Sequence, residues 1–286
     1  MKVFKFGGAS VKDAEGVRNL ARVVKHFPED DLLIVVSAMG KTTNALEEVV
    51  RGHQRGEDMR EKAMALRRSH LEVLEQVAPG EERARTELVL HFEALMGALG
   101  RAPDTEADRH YDQLVPLGEL WSTLIVSAHL EQAGLPNTWL DARRVVRTDA
   151  TYRSARVDWR SAERNAAGPL GEGATAPRRI VTQGFIGAND DGYTTTLGRE
   201  GSDFSAAIFA FLLDAESVTI WKDVPGMFNA DPNRFPDTRL LSHISYREAI
   251  ELSYFGASVI HPRTLQPLQR KSIPLFVRSF VDLDAP

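Results

Sequence analysis

The stretch Lys2-Val3-Phe4-Lys5-Phe6-Gly7-Gly8-Ala9-Ser10 places an apolar strand directly before two glycines, with a lysine near the end of the strand. The glycines permit a turn without Cβ atoms, so backbone N–H groups can approach an anion. Lys5 supplies the compact positive charge that phosphoryl oxygens bind. An amphipathic helix predicted over residues 12–27 would point its N-terminus at the same place. The stretch therefore predicts a phosphate site, although strand-Gly-Gly-helix is also an ordinary packing turn and Lys5 could be a surface charge.

The composition is that of a globular chain. Its 286 residues suffice for one large domain or two closely joined lobes, and 43% of them are hydrophobic. A net charge of -5 argues against broad binding to nucleic acids or anionic membranes. The absence of cysteine excludes disulfides, thiolate metal sites and a cysteine nucleophile. No apolar run approaches the roughly 18 residues that span a bilayer, and the N-terminus is a core strand rather than a signal, so we expect a cytoplasmic protein.

Short β-branched runs alternate with helical stretches along the chain. Such alternation is typical of an α/β fold in which helices cover both faces of a mainly parallel central sheet, giving a three-layer sandwich. After the first strand, further strands are predicted over residues 32–36, 137–140, 179–185, 218–221 and 274–280. Further helices are predicted over residues 43–52, 57–77, 81–99, 108–134, 202–213 and 245–255.

Residues 53–113 differ from the rest because they are charged and helical and carry no strand signal. We predict that they form a helical subdomain laid over one side of the sheet, with turns at Pro79-Gly80 and at residues 100–103. Four of its polar residues are expected on a solvated face: His53, Arg67, Arg68 and Glu82.

Polar residues recur where predicted strands and helices end, which is where open α/β sheets bind ligands. Ser37 follows the second strand, and the next helix could be capped by Thr42 or Thr43. Glu119 lies in a helix that otherwise faces the core, where a carboxylate is costly to bury without a partner. A bound ammonium group would provide that partner, and the alternative is an exposed helical glutamate.

The segment Thr194-Thr195-Thr196-Leu197-Gly198-Arg199-Glu200-Gly201-Ser202-Asp203 combines hydroxyls, glycines and an arginine before a helix N-terminus. Arg199 can bind a carboxylate through two N–H donors, while Asp203 can complement the helix dipole or bind an amino group. The structural alternative is that Ser202 and Asp203 cap the helix. Lys222 and Asp223 stand at the end of another predicted strand.

Together these residues describe a site for a polyphosphate beside a small zwitterion, which indicates phosphoryl transfer. In that chemistry the protein mainly positions two anions and neutralises charge, so it needs no nucleophile of its own. The eight histidines show no metal-ligand spacing, and we predict no metal ligated by protein side chains.

Several motifs occur in the order typical of one known family, from residue 2 to about residue 282. They are Lys5-Phe6-Gly7-Gly8-Ala9-Ser10, Gly118-Glu119-Leu120, Thr182-Gln183-Gly184-Phe185-Ile186-Gly187, Thr195-Thr196-Leu197-Gly198-Arg199, Gly201-Ser202-Asp203, Asp223-Val224-Pro225-Gly226, Phe255-Gly256-Ala257 and His261-Pro262. The chain resembles the catalytic domain of the aspartate kinases, within the amino-acid-kinase fold. The resemblance implies transfer of the ATP γ-phosphoryl group to the β-carboxylate of L-aspartate, giving 4-phospho-L-aspartate and ADP. This is the entry step to lysine, threonine and methionine.

The resemblance also implies which residues hold the acceptor. Ser37 and Thr43 match positions on the substrate side. Glu119 would hold the aspartate ammonium group, and Arg199 would hold the α-carboxylate. Asp203 would orient both the amino group and Lys5, and these two residues, Lys5 and Asp203, would be the catalytic ones.

On the ATP side, the resemblance implies that Lys5 stabilises the transferred phosphoryl group. The backbones of Gly7 and Gly8 would contact phosphate. The nucleotide pocket would be formed by Asp223, Phe228 and the segment Asp231 to Arg234. Mg²⁺ is expected on ATP oxygens and water rather than in a protein cage.

The nucleotide side departs from the family pattern at several positions. Many members carry a lysine that reaches the nucleotide phosphates where this chain has Ser258. Our hypothesis is that Lys222, where such members often have threonine, restores the positive charge from the opposite strand end. Phe228 stands where tyrosine is common, and Arg234 would recover an arginine displaced by Asn233.

Aspartate kinases normally continue past a segment like Val277-Arg278-Ser279-Phe280 into paired regulatory domains that bind inhibitory amino acids and help form dimers. This sequence stops at Pro286, so we expect one catalytic domain without regulatory domains, whether as a catalytic portion or as an unregulated form. Its amino-acid-binding lobe is expected over about residues 1–186 and its nucleotide-binding lobe over about 187–286. The sequence gives little support for a homodimer. We expect insensitivity to lysine and threonine, which dose-dependent inhibition by either would contradict.

Two alternatives remain open at this stage. One is another kinase of the same fold, acting on acetylglutamate or glutamate, although Glu119 and the spacing from Arg199 to Asp203 favour aspartate. The other is a catalytically silent domain that senses a nucleotide or an amino acid, against which Lys5 and Asp203 argue. Detection of ADP with a panel of acceptors would discriminate between them.

Overall fold

The computed structural model describes residues 1–171, 178–224, 226–229, 235, 237–254 and 260–283. Its strands are β1 Lys2–Phe6, β2 Leu32–Val36, β3 Thr138–Leu140, β4 Arg179–Gln183, β5 Ile186–Ala188, β6 Thr194–Thr196, β7 Ser217–Lys222 and β8 Leu275–Ser279. Its α-helices are α1 Ala14–Lys25, α2 Thr42–Gln54, α3 Arg60–Val77, α4 Glu82–Leu99, α5 Ala107–Leu114, α6 Leu117–Gln132, α7 Trp159–Ala166, α8 Gly201–Leu213, α9 Tyr246–Tyr254 and α10 Pro262–Lys271.

Six strands form one sheet in the order β3-β4-β2-β1-β7-β8, and every pair in it is parallel. The first strand lies inside this sheet, so that Lys5 is in register with Val35 of β2 and Ile220 of β7. β5 and β6 form a separate antiparallel pair. The predicted mainly parallel sheet is thus confirmed.

The sheet has a hydrophobic core on each face, because successive side chains of a strand point to opposite sides. Phe4 and Phe6 belong to the core that includes apolar residues of α1, α2 and α6. Val3 belongs to the core that includes apolar residues of α8 and α10. Burial on both faces explains why β2 is apolar at every position rather than alternating. It also confirms the predicted three-layer arrangement.

The helical segment over residues 53–113 contains α3, α4 and α5, as predicted. α3 and α4 pack on α6, and α3 also packs on α1, so this segment forms a further layer outside the helices that cover the sheet. Arg68 and Glu82 are exposed and Arg67 is half-buried. The expectation for His53 was wrong, because this side chain is buried.

His53 is buried because it pairs with a second histidine. Its Nδ1 lies 3.0 Å from Nε2 of His110, and its Nε2 lies 2.9 Å from the carbonyl oxygen of Arg101. Burial lowers the pKa of His110, with a smaller contribution from the neighbouring His53. The pair joins α2 to α5 and to the end of α4, a structural role that a charged, helical sequence does not reveal.

Other elements differ from the prediction in detail. The helix predicted over residues 108–134 is divided into α5 and α6 at Val115-Pro116. Neither α7 nor α10 was predicted: α7 has eight residues, and α10 contains Pro267 within the helix. None of the helices in the described ranges is long and apolar enough to cross a membrane.

Candidate active site

A cavity of about 540 Å³ lies where β1 and β2 end and α8 begins, and we call it the site cavity. Eight of the predicted site residues line it: Lys5, Gly7, Gly8, Ser37, Thr43, Glu119, Arg199 and Asp203. The rest of its lining consists of Ala38, Gly40, Glu47, Tyr111, Arg153, Phe185, Thr196, Gly198, Glu200, Gly201 and Ser202. Residues from distant parts of the sequence therefore surround one space, at the sheet edge where parallel α/β folds bind ligands.

Lys5 and Asp203 form a buried ion pair, with 2.5 Å between Nζ of the lysine and Oδ1 of the aspartate. Lys5 is on the face of β1 that carries Val3, which is the face covered by α8. Asp203 lies in the first turn of α8. Because each charge is removed from water, the pair holds the lysine in a defined position beside the two glycines.

The capping alternative for Ser202 and Asp203 is wrong. The N-cap residue of α8 is Glu200, which has a φ of 54° and makes no side-chain capping hydrogen bond. The predicted caps of α2 are also wrong, since that helix begins at Thr42 and its N-cap residue, Lys41, makes no such bond. Thr42, Thr43, Ser202 and Asp203 therefore do not serve as N-cap residues of these two helices.

Glu119 is 3% exposed, which excludes the alternative of an exposed helical glutamate. Its Oε1 accepts a hydrogen bond of 3.3 Å from the Ala38 N–H, whereas its Oε2 is buried and has no hydrogen-bond partner among the described residues. Burial raises the pKa of Glu119 to about 8. An unpartnered carboxylate oxygen at the wall of a polar cavity is costly, and a cationic ligand group would relieve that cost.

Glycines at two points allow the close approach that builds this wall. A Cβ atom on Gly8 would lie 2.7 Å from the Ala38 carbonyl oxygen, closer than a side chain tolerates. A Cβ atom on Gly118 would lie 3.0 Å from the Ala38 Cβ and 3.0 Å from Cγ2 of Thr42. The turn after β1 and the start of α6 therefore both pack closely against the segment that follows β2. This packing places Glu119 beside the Gly7-Gly8 turn.

Backbone strain is concentrated around the site cavity. Among the described residues, five that are not glycine have positive φ. Asp214 and Ser272 are the C-cap residues of α8 and α10, where that conformation is common. The other three, Arg153 at 63°, Phe185 at 73° and Glu200 at 54°, all line the site cavity. Strained residues that persist together mark a functional region.

Asp112 was missed by the sequence analysis, although it organises one side of the cavity. This buried carboxylate accepts hydrogen bonds from the N–H of Arg153 at 2.9 Å and the N–H of Thr196 at 2.8 Å. It also accepts one from the Thr196 hydroxyl at 2.8 Å. Burial raises its pKa, while these hydrogen bonds act in the opposite direction. No sequence signal separates Asp112 from Asp108 of the same charged helix, which is exposed.

We expect Asp112→Ala to lower the free energy of unfolding by about 3–5 kcal/mol, because two buried N–H groups lose their acceptor. Asp112→Asn should cost only about 1 kcal/mol, since the amide oxygen can still accept from both N–H groups. Urea unfolding of the two variants measures the difference. Equal losses in both would show that the carboxylate charge, rather than acceptance of these bonds, is what matters.

Lys5, Gly7 and Gly8 line the site cavity, but the other predicted nucleotide-side residues are not in its lining or are outside the described residues. Lys222 ends β7, one residue beyond Trp221, which is in register with Phe6. Asp223 is exposed, and Phe228 forms an isolated β-bridge with Leu240. Arg234, Ser258, the segment Asp231 to Arg234 and the Phe255-Gly256-Ala257 motif are outside the described residues. The roles of all these residues stay predictions.

The chemistry of the site cavity is that of an anion site with one position for a cation. Its lining contains the cationic residues Lys5, Arg153 and Arg199 and backbone N–H groups at the start of α8, together with the acidic residues Glu47, Glu119, Glu200 and Asp203. Within the described ranges, no cluster of three histidine, aspartate or glutamate side chains could hold a metal ion. The arrangement can thus bind phosphate and carboxylate groups and one ammonium group.

The sequence is similar to those of known proteins over nearly its whole length. The model of the amino acid kinase family matches residues 1–279. Lysine-sensitive aspartokinase 3 of Escherichia coli is 37% identical over 98% of this chain, which covers 62% of that protein. Bifunctional aspartokinase/homoserine dehydrogenase 1 of Zea mays is 34% identical over 99% of this chain, which covers 31% of that protein. This chain thus spans about a third to three fifths of the length of these relatives.

A solved structure of E. coli aspartokinase III in complex with aspartate and ADP superposes with a TM-score of 0.88 at 36% identity. The match covers 100% of this chain and 63% of the other.

Proposed function

Because this chain belongs to the amino acid kinase family, we propose that it transfers the γ-phosphoryl group of ATP to a carboxylate, with L-aspartate as the acceptor. The products would be 4-phospho-L-aspartate and ADP. The two aspartokinase relatives and the neighbour with bound aspartate and ADP support this proposal.

One observation carries the proposal: the ion pair of Lys5 and Asp203, the unpartnered oxygen of Glu119 and the guanidinium of Arg199 surround one cavity. Aspartate offers an ammonium group for Glu119 and an α-carboxylate for Arg199. Its β-carboxylate is then the group left to react. Acetylglutamate has an acetylated nitrogen and no ammonium group, so it would leave the buried Glu119 without a cation.

In the proposed reaction, a β-carboxylate oxygen of aspartate forms a bond to the γ-phosphorus while the bond between that phosphorus and the ADP oxygen breaks. No proton has to move, because the acceptor is already ionised. Lys5 and the backbone N–H groups of Gly7 and Gly8 neutralise the charge on the phosphoryl oxygens, and Asp203 positions the lysine. Mg²⁺, bound to ATP oxygens and water, would supply further charge neutralisation.

We also propose a division of labour in the chain. Residues 1–186 would contribute most of the amino-acid-binding surface, including Glu119, and residues 187–286 most of the nucleotide-binding surface. Arg199 and Asp203 would serve the acceptor from the second region.

The test is ADP release by the purified chain with Mg-ATP and saturating L-aspartate, measured by a coupled assay beside glutamate and acetylglutamate. Trapping with hydroxylamine would identify the product, because an acyl phosphate gives a hydroxamate and simple ATP hydrolysis does not. We expect hydroxamate with aspartate alone. Hydroxamate with another acceptor would reassign the substrate, and no ADP release with any of them would favour a silent binding domain.

Lys222 provides a separate prediction. If it supplies the positive charge absent at Ser258, Lys222→Met should reduce turnover by about two orders of magnitude with little change in stability. Lys2→Met is the control. Lys2 lies at the amino end of β1, whereas Lys222 lies at the carboxyl end of the parallel strand β7, and Lys2 pairs with Asp30 at 2.6 Å. Near-normal turnover of the Lys222 variant would rule the compensation out.

A further inference from the structure

Arg153 combines three features that the proposed reaction has not used. Arg153 is one of the residues that line the site cavity. Its backbone has a φ of 63°, which costs energy for any residue with a Cβ atom. It belongs to a loop between β3 and α7, distant in sequence from the other cationic residues of the cavity. A strained arginine at a polar cavity requires an explanation from its surroundings.

The surroundings hold Arg153 in place from several sides. Its N–H donates to the buried carboxylate of Asp112. The guanidinium carbon lies 4.3 Å from the ring centroid of Tyr111, and Nη1 lies 3.5 Å from Oδ1 of Asp108. The ring of Tyr111 is held in turn, because its hydroxyl donates to Glu47 at 2.7 Å. Side chains of α2 and α5 thus support a cation whose own side chain is 53% exposed.

Arg153 is also attached to the segment that carries Arg199. A Cβ atom on Gly198 would lie 3.2 Å from the Arg153 carbonyl oxygen, so the two backbones are in contact one residue before Arg199. The N–H of Ala155 donates to the Thr196 carbonyl oxygen at 2.9 Å. Asp112 binds both Arg153 and Thr196. Arg153 and Arg199 therefore belong to adjoining loops, and both residues line the site cavity.

The three cationic residues of the site cavity differ in whether a carboxylate already pairs with them. Lys5 is paired with Asp203 inside the cavity. Arg199 is exposed, and no ion pair joins it to another residue in the described part of the chain. Arg153 contacts Asp108 only at the exposed surface, where an ion pair is weak and screened. Arg153 and Arg199 thus have no buried counter-ion in the described part of the chain, although the cavity lining also includes the acidic residues Glu47 and Glu200.

We infer that Arg153 is a specificity-determining residue, which acts with Arg199 to capture an acceptor bearing two carboxylates. This inference rests on the proposed function. An acceptor with two carboxylates can engage both guanidinium groups, whereas an acceptor with one carboxylate can engage only one at full strength. Arg153 would act on acceptor binding and not on the phosphoryl group, because its contacts are with α5 and with Gly198 beside Arg199, whereas Lys5 and the two glycines belong to β1 and the turn after it.

The variant that isolates this role is Arg153→Gly, because glycine adopts a positive φ without strain and keeps the N–H that Asp112 binds. We expect the KM for aspartate to rise about fivefold to tenfold, with kcat within twofold and the KM for Mg-ATP unchanged. The dependence of kcat/KM on salt concentration should weaken, since one attractive charge is lost. The melting temperature should stay the same or rise.

Arg156→Ala is the matched control. It removes the same charge from the same loop, but Arg156 does not line the site cavity, so all kinetic constants should stay unchanged. Arg153→Lys should give a KM between those of the wild type and the glycine variant, because it keeps the charge without the planar group.

The outcomes separate this inference from the proposed function. A wild-type chain that releases no ADP with aspartate would overturn both. An active wild type together with an Arg153→Gly variant of unchanged KM would overturn the inference alone. A fall in kcat without a change in KM, or an equal effect of Arg156→Ala, would also overturn it, since either result would show a structural or general electrostatic effect.

Discussion

Lys5→Met is expected to reduce turnover by about three orders of magnitude or more, because the proposed role of this cation is to neutralise the transferred phosphoryl group. The same change leaves Asp203 as an unpaired buried carboxylate beside the site cavity. Breaking such a pair costs about 3–5 kcal/mol of stability. Loss of activity alone would therefore not separate catalysis from folding.

The double variant Lys5→Met with Asp203→Asn makes that separation. It removes both charges, so we expect its melting temperature to recover most of the loss seen in Lys5→Met. Its turnover should stay as low as that of the single variant. Turnover that recovered with stability would contradict a catalytic role for Lys5, because it would show that the single variant failed for lack of folded protein.

Glu119→Gln is expected to raise the KM for aspartate by about tenfold to a hundredfold, because a charged hydrogen bond to the ammonium group is replaced by a neutral one. Glutamine can keep the bond from the Ala38 N–H, so the helix position should be preserved. The KM for Mg-ATP should stay near its wild-type value. A matched rise in both constants would instead indicate a general distortion of the cavity.

The dependence on pH gives a second readout for Glu119. Its pKa is raised to about 8 in the folded protein, so its contribution to stability is full below its unfolded pKa near 4.5 and is lost as pH rises through 8. Without ligand, the wild type should lose stability between pH 5 and 9 by an amount of the order of 4 kcal/mol that Glu119→Gln does not lose. Parallel stability curves for the two proteins would contradict this.

The same protonation affects acceptor binding. At neutral pH the side chain of Glu119 is largely protonated in the ligand-free protein, and binding an ammonium group requires it to ionise. We therefore expect the wild-type KM for aspartate to fall as pH rises from 6 to 8 and the Glu119→Gln KM to be nearly flat. The comparison uses the pH trend of one constant and does not depend on absolute activity.

The sequence predicted the central sheet well for a physical reason. A strand buried on both faces is apolar at every position, and the second strand over residues 32–36 has the bounds of β2. Polar residues beyond such runs cannot belong to the sheet interior. This is why Ser37 and the segment before Asp203 pointed to one end of the strands, and the structure brings them to one cavity with Lys5, which lies within β1 one residue before the end of that strand.

What the sequence did not predict depends on contacts between distant segments. Asp112 and His53 have the local pattern of surface residues in a charged helical region, and the packing of α5 against α2 and β6 buries them. The strain at Arg153 comes from hydrogen bonds and stacking supplied by α5. α7 offers few apolar positions, with Ala162 and Ala166 as its buried residues, so its periodicity was too weak to detect.

The place of β1 inside the sheet also has a consequence for synthesis of the protein. β1 is synthesised before its two neighbours in the sheet. β2 follows it closely and can pair with one edge of β1 early, but the other edge stays unpaired until β7 is synthesised. The counter-ion of Lys5 likewise arrives only with α8, roughly 200 residues later. We therefore expect the nascent chain to expose an unpaired apolar strand edge until β7 is synthesised, and to be more prone to aggregation during that time.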